Sequence, residues 1–352
     1  MCLIVLAWRA RADLPLVVAA NRDEWRDRAA EPAHWWPDHP DLLAGRDLQA
    51  GGTWMGITRG ARFAAVTNFR DPAERRTTAK SRGGLVTEFL LGSDSPARFL
   101  SNLSARSGDY NGFNLILGDG ATLFYYGSRE GVPRAIEPGV HGLSNHTLDE
   151  PWPKVVKGNL AMDAALEAKD PVPALFDMLS DAQGASDEAL PNTGVGIAWE
   201  RRLASTLITG DDYGTRASTV LTVAASGEAK FEERTRAADG SVSGIVSFAC
   251  GLLLLGAASV AQAQGSPHDD HVCVRNLEKW VSFRDPESVK VVSVSDGKPE
   301  VIDYANTRLV AVKFTVMVNS KNSQGGYARP KAYECHTSED RQRVLNYTPR
   351  ND

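Results

Sequence analysis

The sequence predicts an α+β layered sandwich of antiparallel strands and flanking helices, and two observations carry that prediction. Short apolar runs come in pairs across polar turns, as in β-hairpins, and amphipathic helical patterns lie between the pairs. Hairpins interleaved with amphipathic helices point away from a parallel Rossmann sheet. A hydrophobic share of 42% and a charged share of 24% fit a globular chain and exclude a wholly disordered or many-spanning one. At 352 residues, two domains are expected. The net charge is −5, and basic residues sit among acidic ones, as in Asp71-Pro72-Ala73-Glu74-Arg75-Arg76, so nucleic acid is not an expected partner.

The elements follow in chain order. Leu3 to Trp8 and Leu16 to Ala20 flank a polar turn at Arg9 to Asp13, which makes a hairpin with Cys2 at a strand end. Gly83-Gly84 leads into a helical pattern at Leu85, Val86, Phe89 and Leu90, and Ser95-Pro96 opens another with Phe99, Leu100 and Leu103 on one side. Phe113 to Leu117 and Leu123 to Tyr126 pair about Gly118-Asp119-Gly120. A helix spans Pro171 to Leu179, and Ser218 to Val223 pairs with Lys230 to Glu233 about Ser226-Gly227.

From Ser241 to Ala263 there is no charged residue, and around Leu252 to Leu255 there is no polar face. With Lys230, Arg234 and Arg236 before it, Asp269 and Asp270 after it, and the small-x-small ending Ala261-Gln262-Ala263, this stretch reads as a signal-like or membrane-anchoring helix. A buried core helix is the competing reading. Export signals normally open a chain, so one at this depth suggests two coding units joined by a real fusion or a missed stop. The expected organisation is residues 1–235 as one domain, 236–264 as linker and apolar segment, and 265–352 as a small β-rich domain. In the last part Val289 to Val294, Leu309 to Val318 and Ala328 to Glu334 read as strands. The first domain is expected in the cytoplasm. Residues 265–352 are expected to be exported or membrane-tethered, with membrane contact through 241–263. Cysteine usage agrees: Cys2 stands alone through the first 249 residues, whereas Cys273 and Cys335 form a candidate disulfide near the end. By loop-closure entropy that bridge would add about 3 to 4.5 kcal/mol.

A cysteine at position 2 carries chemistry, because the initiator methionine is removed before a small side chain and leaves a thiol and an α-amine on one residue. A free α-amine has a pKa of about 7.7 to 8.0, so it can take the thiol proton through one water and no histidine is needed. The bland alternative for Cys2 is a buried small residue. The hairpin's second strand ends in Asn21-Arg22-Asp23-Glu24-Trp25, which on its own reads equally as a charged turn. Other motifs fail. Gly51-Gly52 lacks the Lys-Ser/Thr of a phosphate loop, and Gly142-Leu143-Ser144-Asn145-His146 lacks the final glycine of a nucleophile elbow. The seven histidines form no zinc motif, and His268-Asp269-Asp270-His271 reads as a solvated segment, so no metal is expected. No cofactor is required.

Met1-Cys2-Leu3 followed by a hairpin and Asn21-Arg22-Asp23-Glu24 resembles the NRDE family, whose animal member is called transport and Golgi organisation protein 2. Gly51 to Gly56, Val66 to Arg70, Ser81 to Gly84, Tyr110 to Asn114, Gly142 to Asn145 and Tyr213 to Arg216 fit it in order, over residues 1 to about 235. The C-terminal 88 residues, from 265 to 352, resemble no family. The resemblance implies an N-terminal-nucleophile-hydrolase-like αββα sandwich, similar to cysteine amidases that carry an arginine and, three residues on, an acid. Laid on that pattern, Asn21 takes the arginine position and Glu24 the acid position, with Arg22 on the opposite face of a regular strand. On this basis Cys2 is the expected nucleophile, Asp23 or Glu24 holds the α-ammonium, and Asn21 orients the thiol. Asn68 and Asn145 are candidate oxyanion donors, and Arg216 is a candidate for a ligand carboxylate or phosphate. Turn-stabilising asparagines and a surface salt bridge are the competing readings. The expected function is hydrolysis of an amide or thioester in a small acylated substrate. The resemblance also implies a rival, a non-catalytic carrier of haem, acyl-CoA or another amphipathic lipid. A pure interaction scaffold gives Cys2 and the acids no reason to share one hairpin.

Overall fold

The computed structural model describes residues 2–74 and 76–252, and beyond them the strands 290–294, 298–304, 307–319, 331–337 and 344–349. The chain divides into two compact units, Met1–Ser259 and Val260–Asp352.

In the first unit, antiparallel strands build two sheets. One has six strands in the order β10-β1-β2-β11-β12-β13: β1 (Cys2–Arg11), β2 (Leu14–Trp25), β10 (Gly139–Leu143), β11 (Tyr213–Val223), β12 (Glu228–Arg236) and β13 (Val242–Gly251). The other runs β3 to β9 in sequence: β3 (Ala30–Trp36), β4 (His39–Asp47), β5 (Met55–Thr58), β6 (Phe63–Asn68), β7 (Phe113–Gly118), β8 (Leu123–Gly127) and β9 (Arg134–Ala135). The period-two alternation of apolar side chains gives each sheet two buried faces. Ile4, Leu6, Trp8, Val18 and Ala20 meet Leu43, Ile57, Phe63, Ala65 and Ile116 between the sheets.

The outer faces are covered by helices. Leu85, Phe89, Leu100 and Leu103 of α1 (Gly83–Leu91) and α2 (Pro96–Ser104) pack on Ala64, Val66, Leu115 and Leu117. Val155 and Met162 of α3 (Pro153–Leu166), and Leu175 and Phe176 of α4 (Val172–Leu179), pack on Leu3, Val5, Val17 and Ala19. The result is an αββα sandwich. The three expected hairpins form as β1/β2, β7/β8 and β11/β12, and the expected helices form as α1, α2 and α4. Ser95 caps α2 by accepting from the Arg98 N–H. Two glycine motifs meet: a Cβ on Gly52 would lie 2.7 Å from the Gly83 carbonyl carbon, so the turn before β5 can touch the start of α1 only without side chains.

One expectation is corrected. Residues 242–251, the front of the predicted signal-like helix, form β13, paired with β12 from Arg236↔Val242 to Glu228↔Gly251. Val246, Phe248 and Cys250 pack toward the core while their neighbours face out, a strand's period of two. An open β12 edge needs backbone partners, and this stretch supplies them. The first unit therefore runs past residue 235. Residues 253–263 lie outside the described residues. Among the described residues no helix is long and apolar enough to cross a membrane.

In the second unit β16 (Thr307–Asn319) pairs antiparallel with β14 (Lys290–Val294), β15 (Lys298–Tyr304) and β17 (Lys331–Thr337), and β17 pairs with β18 (Val344–Pro349). Cys335 is buried and disulfide-bonded. Cys273 lies outside the described residues.

Candidate active site

Cys2 begins β1 beside the centre of the six-stranded sheet, and its side chain helps line a cavity of about 500 Å³. The residue is 8% exposed. Arg22, Asp23, Glu24, Asp47, Asn68, Arg82, Arg216 and Glu233 also line this cavity.

Register decides which strand-end residue faces the thiol. The β1/β2 pairing shifts between Trp8 and Arg11, where Arg9 takes a left-handed φ of 48°, and beyond the shift Cys2 lies opposite Arg22 and Leu3 opposite Asn21. Directly opposed residues share a face. The expectation that Asn21 sits by the thiol with Arg22 behind the strand is therefore corrected. Asn21 faces the helices, and its amide donates to the Leu179 carbonyl at 2.9 Å and the Thr206 carbonyl at 2.8 Å. Arg22 lies opposite Cys2, on the thiol's face of the sheet.

Arg22 belongs to a four-charge network. Its guanidinium is 3.8 Å from Glu24 and 3.7 Å from Asp47, and Arg28 is 2.6 Å from Asp47 and 3.9 Å from Glu24. A second, buried group of charges lies on the helix side of β2. Asp23 accepts from the Thr215 hydroxyl at 2.7 Å, and that hydroxyl accepts from the Ile208 N–H at 2.9 Å. Arg70 pairs with Glu200 at 2.7 Å, and both are buried. Glu200 also accepts from the Thr193 N–H and hydroxyl. Lys154, from the first turn of α3, is buried with them.

Burial pushes the Cys2 thiol pKa up and the Asp23 carboxylate adds to the rise, while the Asp23 N–H and the Arg22 charge pull it down. Burial likewise raises the Asp23 carboxyl, opposed by Lys154, the Thr215 hydroxyl and Arg70. For Lys154 burial lowers the ammonium pKa to about 8, with Asp23 opposing the fall.

The other expected site residues are placed as follows. Asn68 ends β6 and lines the cavity; its main-chain carbonyl accepts from the Asn145 amide at 3.0 Å. Asn145 is wholly buried, and its amide nitrogen is committed to that carbonyl. Beside it, Ser144 donates to the Cys2 carbonyl at 3.1 Å. Arg216 is bulged out of the β11/β2 ladder and donates to the carbonyls of Trp25, Arg26 and Arg28, which fixes the turn after the acidic cluster. Sequence reasoning missed Lys154 and Glu200. A lysine in the first turn of a helix opposes the helix dipole, which is the signal that could have marked Lys154.

A second cavity of about 560 Å³ shares Glu24, Arg28, Asn68, Arg82 and Asn111 with the first. Trp25, Phe69, Val195, Trp199 and Tyr213 give it apolar walls, with Trp25, Trp199 and Tyr213 in mutual edge contact at 5.3 to 5.9 Å.

An αββα sandwich with a strand-end cysteine opening into a charged cavity is the class that this fold and site define. Within that class, the chain belongs to the Transport and Golgi organisation 2 family, whose model matches residues 1–238. It is similar to the bovine (Bos taurus) Transport and Golgi organization protein 2 homolog, 37% identical over 238 residues, covering 62% of this chain and 86% of the relative. The human (Homo sapiens) homolog is 34% identical with the same coverage. Among solved structures, a mutant conjugated bile acid hydrolase from Clostridium perfringens aligns at 7% identity over 70% of this chain and 92% of its own, with a TM-score of 0.38. A Caenorhabditis elegans ortholog of N-acylethanolamine-hydrolyzing acid amidase aligns at 8% identity over 62% and 92%, with a TM-score of 0.30.

Proposed function

We propose that the first unit is a cysteine N-terminal-nucleophile hydrolase that cleaves an amide or thioester bond in a small acylated substrate. The observation that carries this reading is the Cys2 side chain at the wall of a charged cavity, with Arg22 opposite and Asp23 and Glu24 among the lining residues. After removal of Met1 the α-amine of Cys2 takes the thiol proton, and the thiolate attacks the substrate carbonyl. Amide donors at the cavity wall, with Asn68 as the candidate, meet the oxyanion. The α-ammonium then protonates the leaving group, and the acyl group stays on Cys2 as a thioester. Water, deprotonated by the α-amine, attacks that thioester and releases the acid and the thiol.

The test is mass measurement at Cys2 after exposure to an activated ester. Expected are a chain lacking Met1 and an acyl adduct that is lost in Cys2→Ala. A chain that keeps Met1 on every molecule overturns the mechanism. A second reading, a carrier of an amphipathic ligand such as haem or acyl-CoA, draws support from the apolar walls of the second cavity. Stoichiometric binding that Cys2→Ala leaves intact, without acylation, would favour it.

A further inference from the structure

Lys154 is a buried charge that the reaction above does not use. Its side chain is 4% exposed, and its Nζ has no hydrogen-bond partner among the described residues. An ammonium in that position is costly unless neighbouring charges compensate, and its place at the start of α3 adds to the cost. The charged and titratable groups facing it come from four elements: Asp23 on β2, Arg70 after β6, Cys2 on β1 and Glu200 on α5 (Ile197–Leu203). Tyr213 on β11 faces Asp23 and Cys2 from the fifth side. With both acids ionised, Lys154 and Arg70 balance Asp23 and Glu200 two against two.

Burial raises the Asp23 carboxyl toward its neutral form, and a neutral carboxylic acid is no counter-ion for an ammonium. We propose that Lys154 is a positioning residue of the Cys2 centre: it keeps the Asp23 carboxylate ionised, so that Asp23 can hold the α-ammonium formed when the thiol gives up its proton. The proton moves from sulfur to nitrogen, and the thiolate and ammonium are left side by side over the buried carboxylate. Lys154 touches neither the substrate nor the reacting atoms and acts through Asp23. With a pKa of about 8 it still carries its proton at neutral pH, so it can act in this way. This inference rests on Cys2 being a terminal nucleophile.

The experiment is the pH dependence of Cys2 alkylation by iodoacetamide in the full chain, read by peptide mass at Cys2 because Cys250 is also a free thiol. The proteins are wild type, Lys154→Met, Lys154→Arg, Asp23→Asn and the double variant. Lys154→Met is expected to move the midpoint upward and to slow alkylation at neutral pH about tenfold, the effect of one pKa unit. Lys154→Arg is expected to restore most of it, and Lys154→Met is expected to add nothing in the Asp23→Asn background. An unchanged midpoint in a folded Lys154→Met protein overturns the proposal, as does the same shift with and without the Asp23 carboxylate. If Lys154→Met fails to fold, Lys154→Gln reads the same midpoint. A protein whose midpoint follows Lys154 but whose Cys2 takes no acyl group from the activated ester sinks the hydrolase reading and leaves the Lys154 coupling standing.

Discussion

Asn21 sends both amide hydrogens to backbone carbonyls, one at the last residue of α4 and one before β11, and so ties β2 to the segments behind it. Asn21→Ala strands both acceptors, and a loss of about 2 to 3 kcal/mol is expected by denaturant titration, with the Cys2 alkylation midpoint unmoved. Lys154 shows a different dependence. Its folded pKa of about 8 lies below its ordinary 10.5, so between those values the unfolded chain binds a proton that the folded one has released. The penalty for burying the charge is full below about pH 8 and fades as pH rises toward 10.5. Lys154→Met removes it, so the stability difference between variant and wild type is expected to shift by about 3 kcal/mol across that window, measured by urea unfolding at several pH values. At this scale the sequence marked Cys2 and the strand-end acids, because they are adjacent in the chain or in one hairpin. It could not reveal Glu200 under Arg70, a contact across 130 residues, since nothing local requires it.

β13 shows how an element can be misread while its residues are read correctly. Small and apolar side chains with no charge satisfy the composition of an exported helix, yet Val246, Phe248 and Cys250 alternate with outward neighbours and suit the open edge of β12. Composition was legible, but the choice between periods of 3.6 and 2 depended on a partner far along the chain. Phe248 meets Trp35 of the other sheet edge-on at 6.4 Å, so Phe248→Ala is expected to cost about 1 to 2 kcal/mol by thermal melting. An unchanged melting temperature would show that β13 adds nothing to the core. The helices α1, α2 and α4 were legible because their apolar stripes, and the Ser95 cap of α2, are local. The first-turn lysine of α3 gave no apolar stripe to read.

Across the whole first unit, the family match ends at residue 238 while the fold continues through Leu252, which is buried. A fragment ending after Leu252 is expected to melt with the cooperativity of the complete unit. One ending after Ala238 is expected to melt several degrees lower, because the β12 edge and the Phe231 side of the core are uncovered. Differential scanning calorimetry of the two fragments separates these outcomes. The αββα layering was legible from hairpins and helices taken together, whereas the pairing of sides was not, because it hangs on the irregularity at Arg9. That single left-handed residue works as a phase-shifter for the hairpin. Were the extra residue paired instead of bulged, the ladder that starts at Arg11↔Leu14 would set Asp23 opposite Cys2 and carry Arg22 into the layer beneath the helices. The bulge thus governs whether the thiol meets a cation or an anion, and pairing its extra residue would invert the polarity of the centre without touching any residue in it.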